Sequence, residues 1–509
     1  MSLSRVRAAP LSPLSPLLLR WRAIAARARG SASAIIDASG AHPYADLHAR
    51  ATRIAGALLA GHESRAGLAG ARVALLVTPG ATFVEAFFGV LLAGGAVVVL
   101  STLHPHAETS YFVSDAAAET ILVSSSLADR VRALAPRVLA VEEAREHAEA
   151  SELPSPLADA PALQLYTSGT TGRPKGAIIT HANLAVQQEL LGVAWGWSEN
   201  DVLLHTLPLH HMHGLAIALL TAIGAGASAR MLAQFDARAV WEAMAESTVF
   251  MAVPTIYAKL LGAFEDADEA TRARWTANAR ALRLATSGSA ALPVTLAERW
   301  RAIVGEYPLE RFGMTEIGVG ASNPLVGERR PGSVGRPLPT VEMRIVDDEL
   351  WIAGPSVFAG YFGRDEATAE AFVVDGDTRW FRTGDTVSAS ADGYLRILGR
   401  TSVDILKSGG YKLSALEIEE ALREHPAIAE VAVVGLPDET WGDRVVACVV
   451  ARAGREGECT EDLVRAFGKE KLAAYKVPRT VVVMPELPRN AIGKVMKPEL
   501  VLRLRAQGA

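Results

Sequence analysis

Cysteine is scarce in this 509-residue chain, which holds only Cys448 and Cys459. Two thiols cannot by themselves build a disulfide framework or a four-ligand zinc site, and such sparse use fits a reducing compartment in which both are inert. A dominant charge is missing as well. Lys+Arg 51 against Asp+Glu 56 leaves a net charge of -5, so no global basic field exists to hold nucleic acid or an anionic membrane. Long apolar runs are also lacking. The longest uncharged one, Ala86 to Leu100, falls short of the roughly 20 residues a spanning helix needs and contains Gly94-Gly95, so no membrane span is expected. Internal repeats and low-complexity segments are absent. What remains is half hydrophobic and 21% charged, which excludes disorder as the main state. At roughly 100 to 200 residues per domain, the length implies two or three domains.

Acidic residues are missing before Asp37, while Arg5, Arg7, Arg20, Arg22, Arg27 and Arg29 alternate with serines as in an organelle transit peptide. Arginine and alanine are abundant throughout, so part of that signal is background composition. Leu17 to Ala28 reads as an amphipathic helix leading into a strand at Ala34–Asp37 and a helix start at Tyr44. The expectation is a cytoplasmic protein with a short arginine-rich extension at 1–15, and the mitochondrial matrix is the alternative address.

From Val73 to Val141, β-branched runs alternate with helical stretches such as Ala81 to Leu92, the pattern of a mostly parallel sheet covered by helices. The alternation resumes through Val249–Val253, Pro254–Phe264, Leu282–Thr286 and Pro293–Ile303. After Pro331 the texture changes to short runs, glycines and turns, which predicts a small β-rich subdomain near 331–400. A boundary follows near Arg400, and helices at Ala415–Glu424 and Thr460–Lys471 with strands at Val431–Val434, Val445–Val450 and Val481–Val483 predict a separate α+β domain over 401–509.

Leu163 to Tyr166 reads as a buried strand that runs into Thr167-Ser168-Gly169-Thr170-Thr171-Gly172-Arg173-Pro174-Lys175-Gly176, and Ala177-Ile178-Ile179 follows as another strand. Glycines admit close approach of phosphate, successive N–H groups and four hydroxyls donate to its oxygens, and Lys175 adds a movable cation. The loop suits a nucleoside triphosphate. It is not the P-loop of kinases and motor ATPases, which places Lys directly after the second glycine and a helix after that.

Tyr166 through Gly176 resembles the phosphate loop of the ANL superfamily of adenylate-forming enzymes, which comprises acyl-CoA synthetases, peptide-synthetase adenylation domains and firefly-type luciferases. Similar motifs follow in order at Pro208–Gly214, Phe312–Glu316, Arg382–Asp385 and Pro488–Lys494, so the likeness runs from about Ala34 to Leu500. The resemblance implies an α/β protein with a large adenylate-forming domain over 1–400 and a small mobile lid over 401–509. It implies two half-reactions with ATP, Mg2+ and coenzyme A: a small-molecule carboxylate forms acyl-AMP, and a thiol then displaces AMP.

By the same resemblance, Thr167, Ser168, Gly169, Thr170, Thr171, Gly172 and Lys175 hold phosphates, Thr315 contacts the α-phosphate and Glu316 holds magnesium. Asp385 accepts the ribose diol, with Arg400 beside it. Lys494 bridges the attacking carboxylate and the α-phosphate, and Gly409-Gly410-Tyr411 forms the coenzyme A face. Thr401–Asp404 is the expected hinge, with Ser402 and Asp404 both open as its pivot. Among His210, His211 and His213, the resemblance assigns His211 as the gate of the acyl pocket rather than part of a metal cluster.

Arg311 occupies a position that lines the acyl pocket in relatives, where a buried cation asks for an anion. Lys259 is expected as a second cation, with Ser289 as a hydroxyl donor and Met314 in the wall. A salt bridge from Arg311 to Glu310 or to another surface acid is the competing explanation. Glu310–Gly318, Ser322–Leu325 and Gly327–Gly335 resemble malonyl-CoA synthetases, which points to malonate or methylmalonate as the acid. The alternatives are a medium-chain or aryl acyl-CoA ligase and a stand-alone enzyme loading a carrier protein.

Overall fold

The computed structural model describes residues 14–26, 32–61, 67–150, 152–167, 173–490 and 494–506. Two large sheets form its main body. In the seven-stranded sheet, Pro161–Thr167, Ala96–Val99, Arg72–Leu76, Thr120–Val123 and Arg137–Ala140 lie parallel in that spatial order. Lys175–Thr180 then folds back antiparallel on Pro161–Thr167, pairing Lys175 with Thr167 and so setting the two ends of the Gly/Ser/Thr-rich segment side by side. In the nine-stranded sheet, the parallel strands include Val202–His205, Val249–Ala252, Leu284–Ser287 and Leu309–Met314, and Gly318–Ser322 returns antiparallel.

The Ala86–Leu100 run is divided between helix Ala81–Leu92 and strand Ala96–Val99. Every residue of that helix except Thr82 is buried, which explains why its sequence lacks an exposed polar stripe. Its Ala81 N–H donates to Asp37 Oδ2 at 2.8 Å, giving the helix start a charged acceptor. Among the described residues, no helix is long and apolar enough to cross a membrane.

The β-rich region is less separate than its sequence texture suggests. Its five-stranded sheet runs through Glu342–Val346, Glu349–Ala353, Thr378–Ala389, Phe372–Asp375 and Leu395–Arg400. Arg336–Pro337, however, extends the nine-stranded sheet, and Gly360–Tyr361 pairs with Lys175–Thr180 of the seven-stranded one. Leu350, Phe358, Phe381 and Leu395 share one core with the main body. By contrast, the strands Ile405–Ser408, Tyr411–Ser414, Ile428–Asp438, Gly442–Ala451 and Thr480–Val483 form a sheet with its own apolar cluster on each face. Cys448 and Cys459 are buried and free in different clusters, and burial pushes the Cys448 thiol up to about 12. The protein therefore has a large α/β domain followed by a small α+β one.

The arginine-rich start lies mostly outside the described residues, but the expected extension at 1–15 is too long. Ser15 is buried, its N–H donates to the Pro156 carbonyl at 2.8 Å, and its Oγ lies 2.9 Å from His181 Nδ1. Helix Pro16–Ala26 then buries Leu17, Leu18, Trp21 and Ile24, so residues 14 and 15 are part of the folded body.

Candidate functional site

The strand pairing brings Thr167 and Lys175 together, while Ser168, Gly169, Thr170, Thr171 and Gly172 lie outside the described residues. Strand Gly360–Tyr361 adds a residue that motif reading did not find. Tyr361 donates to Glu316 Oε1 at 2.9 Å, and Lys175 Nζ stands 5.3 Å from the centre of the Tyr361 ring. Glu316 is 5% exposed, and burial raises its pKa against the bonds of Tyr361 and Thr167 and the charge of Arg400. Thr315 and Met314 are half-buried next to it. The signal for Tyr361 was weak because a lone tyrosine after glycine reads equally well as core.

Asp385 and Arg400 close the other side. They are register partners on adjacent strands, with Arg400 Nε 3.2 Å from Asp385 Oδ1. Burial lifts Asp385 to about 6, and Arg400 and Lys494 pull it back. Lys494 comes from the far end of the chain to the same place. Lys494 is exposed, yet partial loss of solvent lowers its pKa first and Arg400 lowers it further, while Asp404 and Asp385 oppose. Of the Pro488–Lys494 motif, Ala491, Ile492 and Gly493 lie outside the described residues.

Arg311 lies on strand Leu309–Met314, opposite Ser322. Its side chain is only 3% exposed, and its Nε and Nη2 have no hydrogen-bond partner among the described residues. Neighbouring strand residues point to opposite faces, so Glu310 cannot be its partner. Glu310 instead accepts the Gly332 N–H at 2.8 Å and is pushed up to about 8 by burial. Burial alone lowers Arg311 to about 9, which leaves it a cation at neutral pH. A Cβ on Gly288 would stand 2.4 Å from Arg311 Nε, so only glycine lets the guanidinium lie there.

His213 lies near Arg311. Its Nδ1 lies 3.1 Å from Ser289 Oγ, its buried Nε2 has no partner among the described residues, and the Arg311 charge adds to burial in holding the imidazole neutral. Ser289 adopts a left-handed φ of 69°, a strained conformation of the kind that concentrates at functional sites. His211 packs on His210 at 4.1 Å, and burial takes it down to about 4 with its Nε2 also unpartnered. Sequence reading had no means of separating His213 from His211, because the two differ only in the direction the backbone gives them.

Lys259 is a correction. Helix Pro254–Glu265 buries Ile256, Tyr257, Leu260 and Leu261, which leaves Lys259 exposed with its ammonium 5.4 Å from the Phe235 ring centre. No hydrogen bond, ion pair or ring contact joins it to Arg311, His213 or Ser289 among the described residues. Among the described residues, Arg311 is thus buried near His213 and Ser289, and Lys259 does not join them.

The family model described as "AMP-binding enzyme" matches residues 22–362, and that for the "AMP-binding enzyme C-terminal domain" matches residues 417–494. The chain belongs to the AMP-binding enzyme family. This AMP-binding enzyme is 41% identical to the mitochondrial malonate–CoA ligase ACSF3 of Mus musculus, over 95% of this chain and 91% of that one. ATP-bound MatB from Rhodopseudomonas palustris superposes with a TM-score of 0.88 at 33% identity, covering 97% of this chain and all (100%) of the other. A malonyl-CoA ligase in a ternary product complex with methylmalonyl-CoA and AMP gives a TM-score of 0.68 at 36% identity, covering 94% and 100%.

In this AMP-binding enzyme, Gly409 and Gly410 turn the chain between Ile405–Ser408 and Tyr411–Ser414, and the Gly409 N–H donates to the Trp441 carbonyl at 2.8 Å. Tyr411 is exposed and stacks on Tyr475 at 4.5 Å. Among the described residues, no hydrogen bond or ion pair joins this turn to Asp385, Arg400 or Lys494. Contacts and charge coupling thus link Thr167, Glu316, Asp385, Arg400 and Lys494, with Lys175 at the Tyr361 ring that bonds Glu316, and among the described residues no such link reaches Gly409, Gly410 or Tyr411.

Proposed function

We propose that this AMP-binding enzyme is an ATP-dependent malonate–CoA ligase, with malonate or its methyl derivative as the acid. The observation that carries this reading is the buried Arg311 guanidinium with two nitrogens unpartnered among the described residues. An unpaired buried charge costs several kcal/mol, whereas each charged hydrogen bond to a far carboxylate contributes about 1.5 to 3 kcal/mol. His213 and Ser289 stand ready to bond the same end of the acid, and Met314 lines its wall. His211, kept neutral by burial, serves as the gate.

In the first step a substrate carboxylate oxygen attacks the α-phosphorus of ATP, forming the O–P bond of acyl-AMP as the bond to pyrophosphate breaks. Lys494 neutralises charge on the α-phosphate oxygens, Thr315 donates a hydrogen bond to them, and Lys175, Thr167 and the loop Ser168–Gly172 hold the leaving pyrophosphate. Asp385 accepts the ribose hydroxyls, with Arg400 orienting its carboxylate. In the second step the sulfur of coenzyme A attacks the acyl carbon, the carbon–oxygen bond breaks, and AMP leaves. The turn Gly409–Tyr411 belongs to that step, reached by motion of a lid that we place at 401–509 after a body of 1–400.

Glu316, whose carboxylate sits beside Tyr361 and Thr167, would hold magnesium as a single hard ligand, since magnesium commonly completes its shell with substrate phosphates and water. The ion supplies charge neutralisation on phosphate oxygens. The mitochondrial name of the mouse relative supports the matrix alternative over the cytoplasmic expectation, and sequencing the mature amino terminus decides between them.

A panel of malonate, methylmalonate, succinate, butyrate and benzoate, assayed for AMP release with coenzyme A, tests the reading. Malonate or methylmalonate should exceed the monoacids by at least on the order of 10²-fold in kcat/KM, the worth of two charged bonds. Preference for butyrate or benzoate would sink it, and preference for a carrier protein over coenzyme A would assign the loading alternative.

A further inference from the structure

Lys497 opens helix Lys497–Ala506, three residues after Lys494, and is buried. Its Nζ lies 2.6 Å from Asp404 Oδ1 and 2.7 Å from Glu419 Oε1. Glu419 Oε1 also accepts the Val433 N–H at 2.8 Å, which ties this corner to the small domain's own sheet. Asp404 holds the opposite side. Its Oδ2 accepts the Arg400 N–H at 3.0 Å, and its own N–H donates to the Arg400 carbonyl at 2.7 Å. Gly399 makes that turn possible. Its φ is +130°, and a Cβ there would stand 2.3 Å from the Asp404 Cβ.

Stability alone is a weak reason for this cluster, because buried ion pairs are often replaceable by apolar side chains without loss. What it connects supplies a better one. Arg400 bonds Asp385, Asp404 bonds Arg400, and Lys497 bonds Asp404, so one continuous set of polar contacts runs from the cleft to the segment that carries Lys494. The same segment is fastened behind Lys494, whose N–H donates to Asn490 Oδ1 at 2.9 Å.

We infer that Lys497 is a positioning residue for adenylate formation: through Asp404 it fastens the Lys494 segment to Arg400, so that the Lys494 ammonium faces the cleft. The inference rests on the reading that Lys494 acts in the first half-reaction. Thioester formation from a finished acyl-adenylate does not use Lys494 and does not need the fastening.

Full-length Lys497→Met and Asp404→Asn test this, with Lys494→Ala in parallel. ATP–pyrophosphate exchange driven by malonate reads the first half-reaction, and thioester formation from synthetic acyl-adenylate and coenzyme A reads the second. Exchange kcat should fall on the order of 10²-fold in both variants, as for a displaced reacting group, with the KM for ATP and malonate nearly unchanged. The second half-reaction should stay near wild type, and Lys497→Arg should recover most of the exchange. Asp404→Asn preserves volume and leaves Lys497 paired with Glu419, so it carries the test even if Lys497→Met does not fold. If Lys494→Ala loses exchange while both test variants keep it, or if they lose the two half-reactions equally, Lys497 is merely structural and the inference is overturned. Exchange surviving in Lys494→Ala would overturn the underlying reading, and this one with it.

Discussion

Arg400 Nε lies 3.2 Å from Asp385 Oδ1 across an antiparallel pair of strands, and Lys494 acts on the same carboxylate from the opposite end of the chain. A buried acid whose folded pKa is about 6 against an ordinary 3.8 is held in place at a cost in stability.

That cost is measurable. Between about pH 4 and pH 6 the folded state binds the extra proton, so stability falls as pH rises through this window and the penalty persists at neutral pH. Asp385→Asn should therefore raise the apo melting temperature at pH 7.5, corresponding to up to roughly 3 kcal/mol, with no gain below about pH 4. The same variant should raise the KM for ATP, because an amide offers the ribose one acceptor oxygen and not two. A melting temperature that drops at pH 7.5 contradicts the electrostatic account.

Lys494→Ala should lower ATP–pyrophosphate exchange by on the order of 10³-fold, the scale of removing one preorganised charge contact to a transition state. Thioester formation from supplied acyl-adenylate should be spared. Equal loss in both assays would assign Lys494 to folding instead.

Arg311→Leu removes a buried cation with two nitrogens unpartnered among the described residues, so it should melt higher than wild type. Malonate activity should drop by at least on the order of 10²-fold, and butyrate should gain relative to malonate, because the charge that attracts one class repels an apolar tail. Steady-state kinetics on the two acids and one melting curve check this. Unchanged malonate kinetics would remove Arg311 from the pocket.

Gly288→Ala places a methyl where Arg311 Nε now lies, 2.4 Å from the new carbon. The guanidinium has to shift, so the KM for malonate should rise on the order of tenfold while the KM for ATP holds. A variant with wild-type KM for both would mean that the pocket absorbs the shift.

Much of the site was legible because its residues sit in short local patterns. Thr167 and Lys175 mark one loop, Thr315 and Glu316 follow a strand end that holds Gly313, and Asp385 and Lys494 each follow a glycine. Tyr361 and Lys497 carried no such local pattern, and both reach their partners only through the fold: Tyr361 by a two-residue strand, Lys497 by the packing of the last described helix.

The sequence by itself determined the alternating α/β body, the change of texture beyond Pro331, the autonomous apolar set of the last hundred or so residues and the ordered motifs, because hydrophobic period and loop chemistry act over a few residues. Only the tertiary structure decided that Arg311 is buried with two nitrogens unpartnered among the described residues while Lys259 turns out, that His213 lies against Ser289, and that the Lys494 charge bears on Asp385. Those outcomes depend on which face of an element is covered and by what, and that is set by packing between segments hundreds of residues apart.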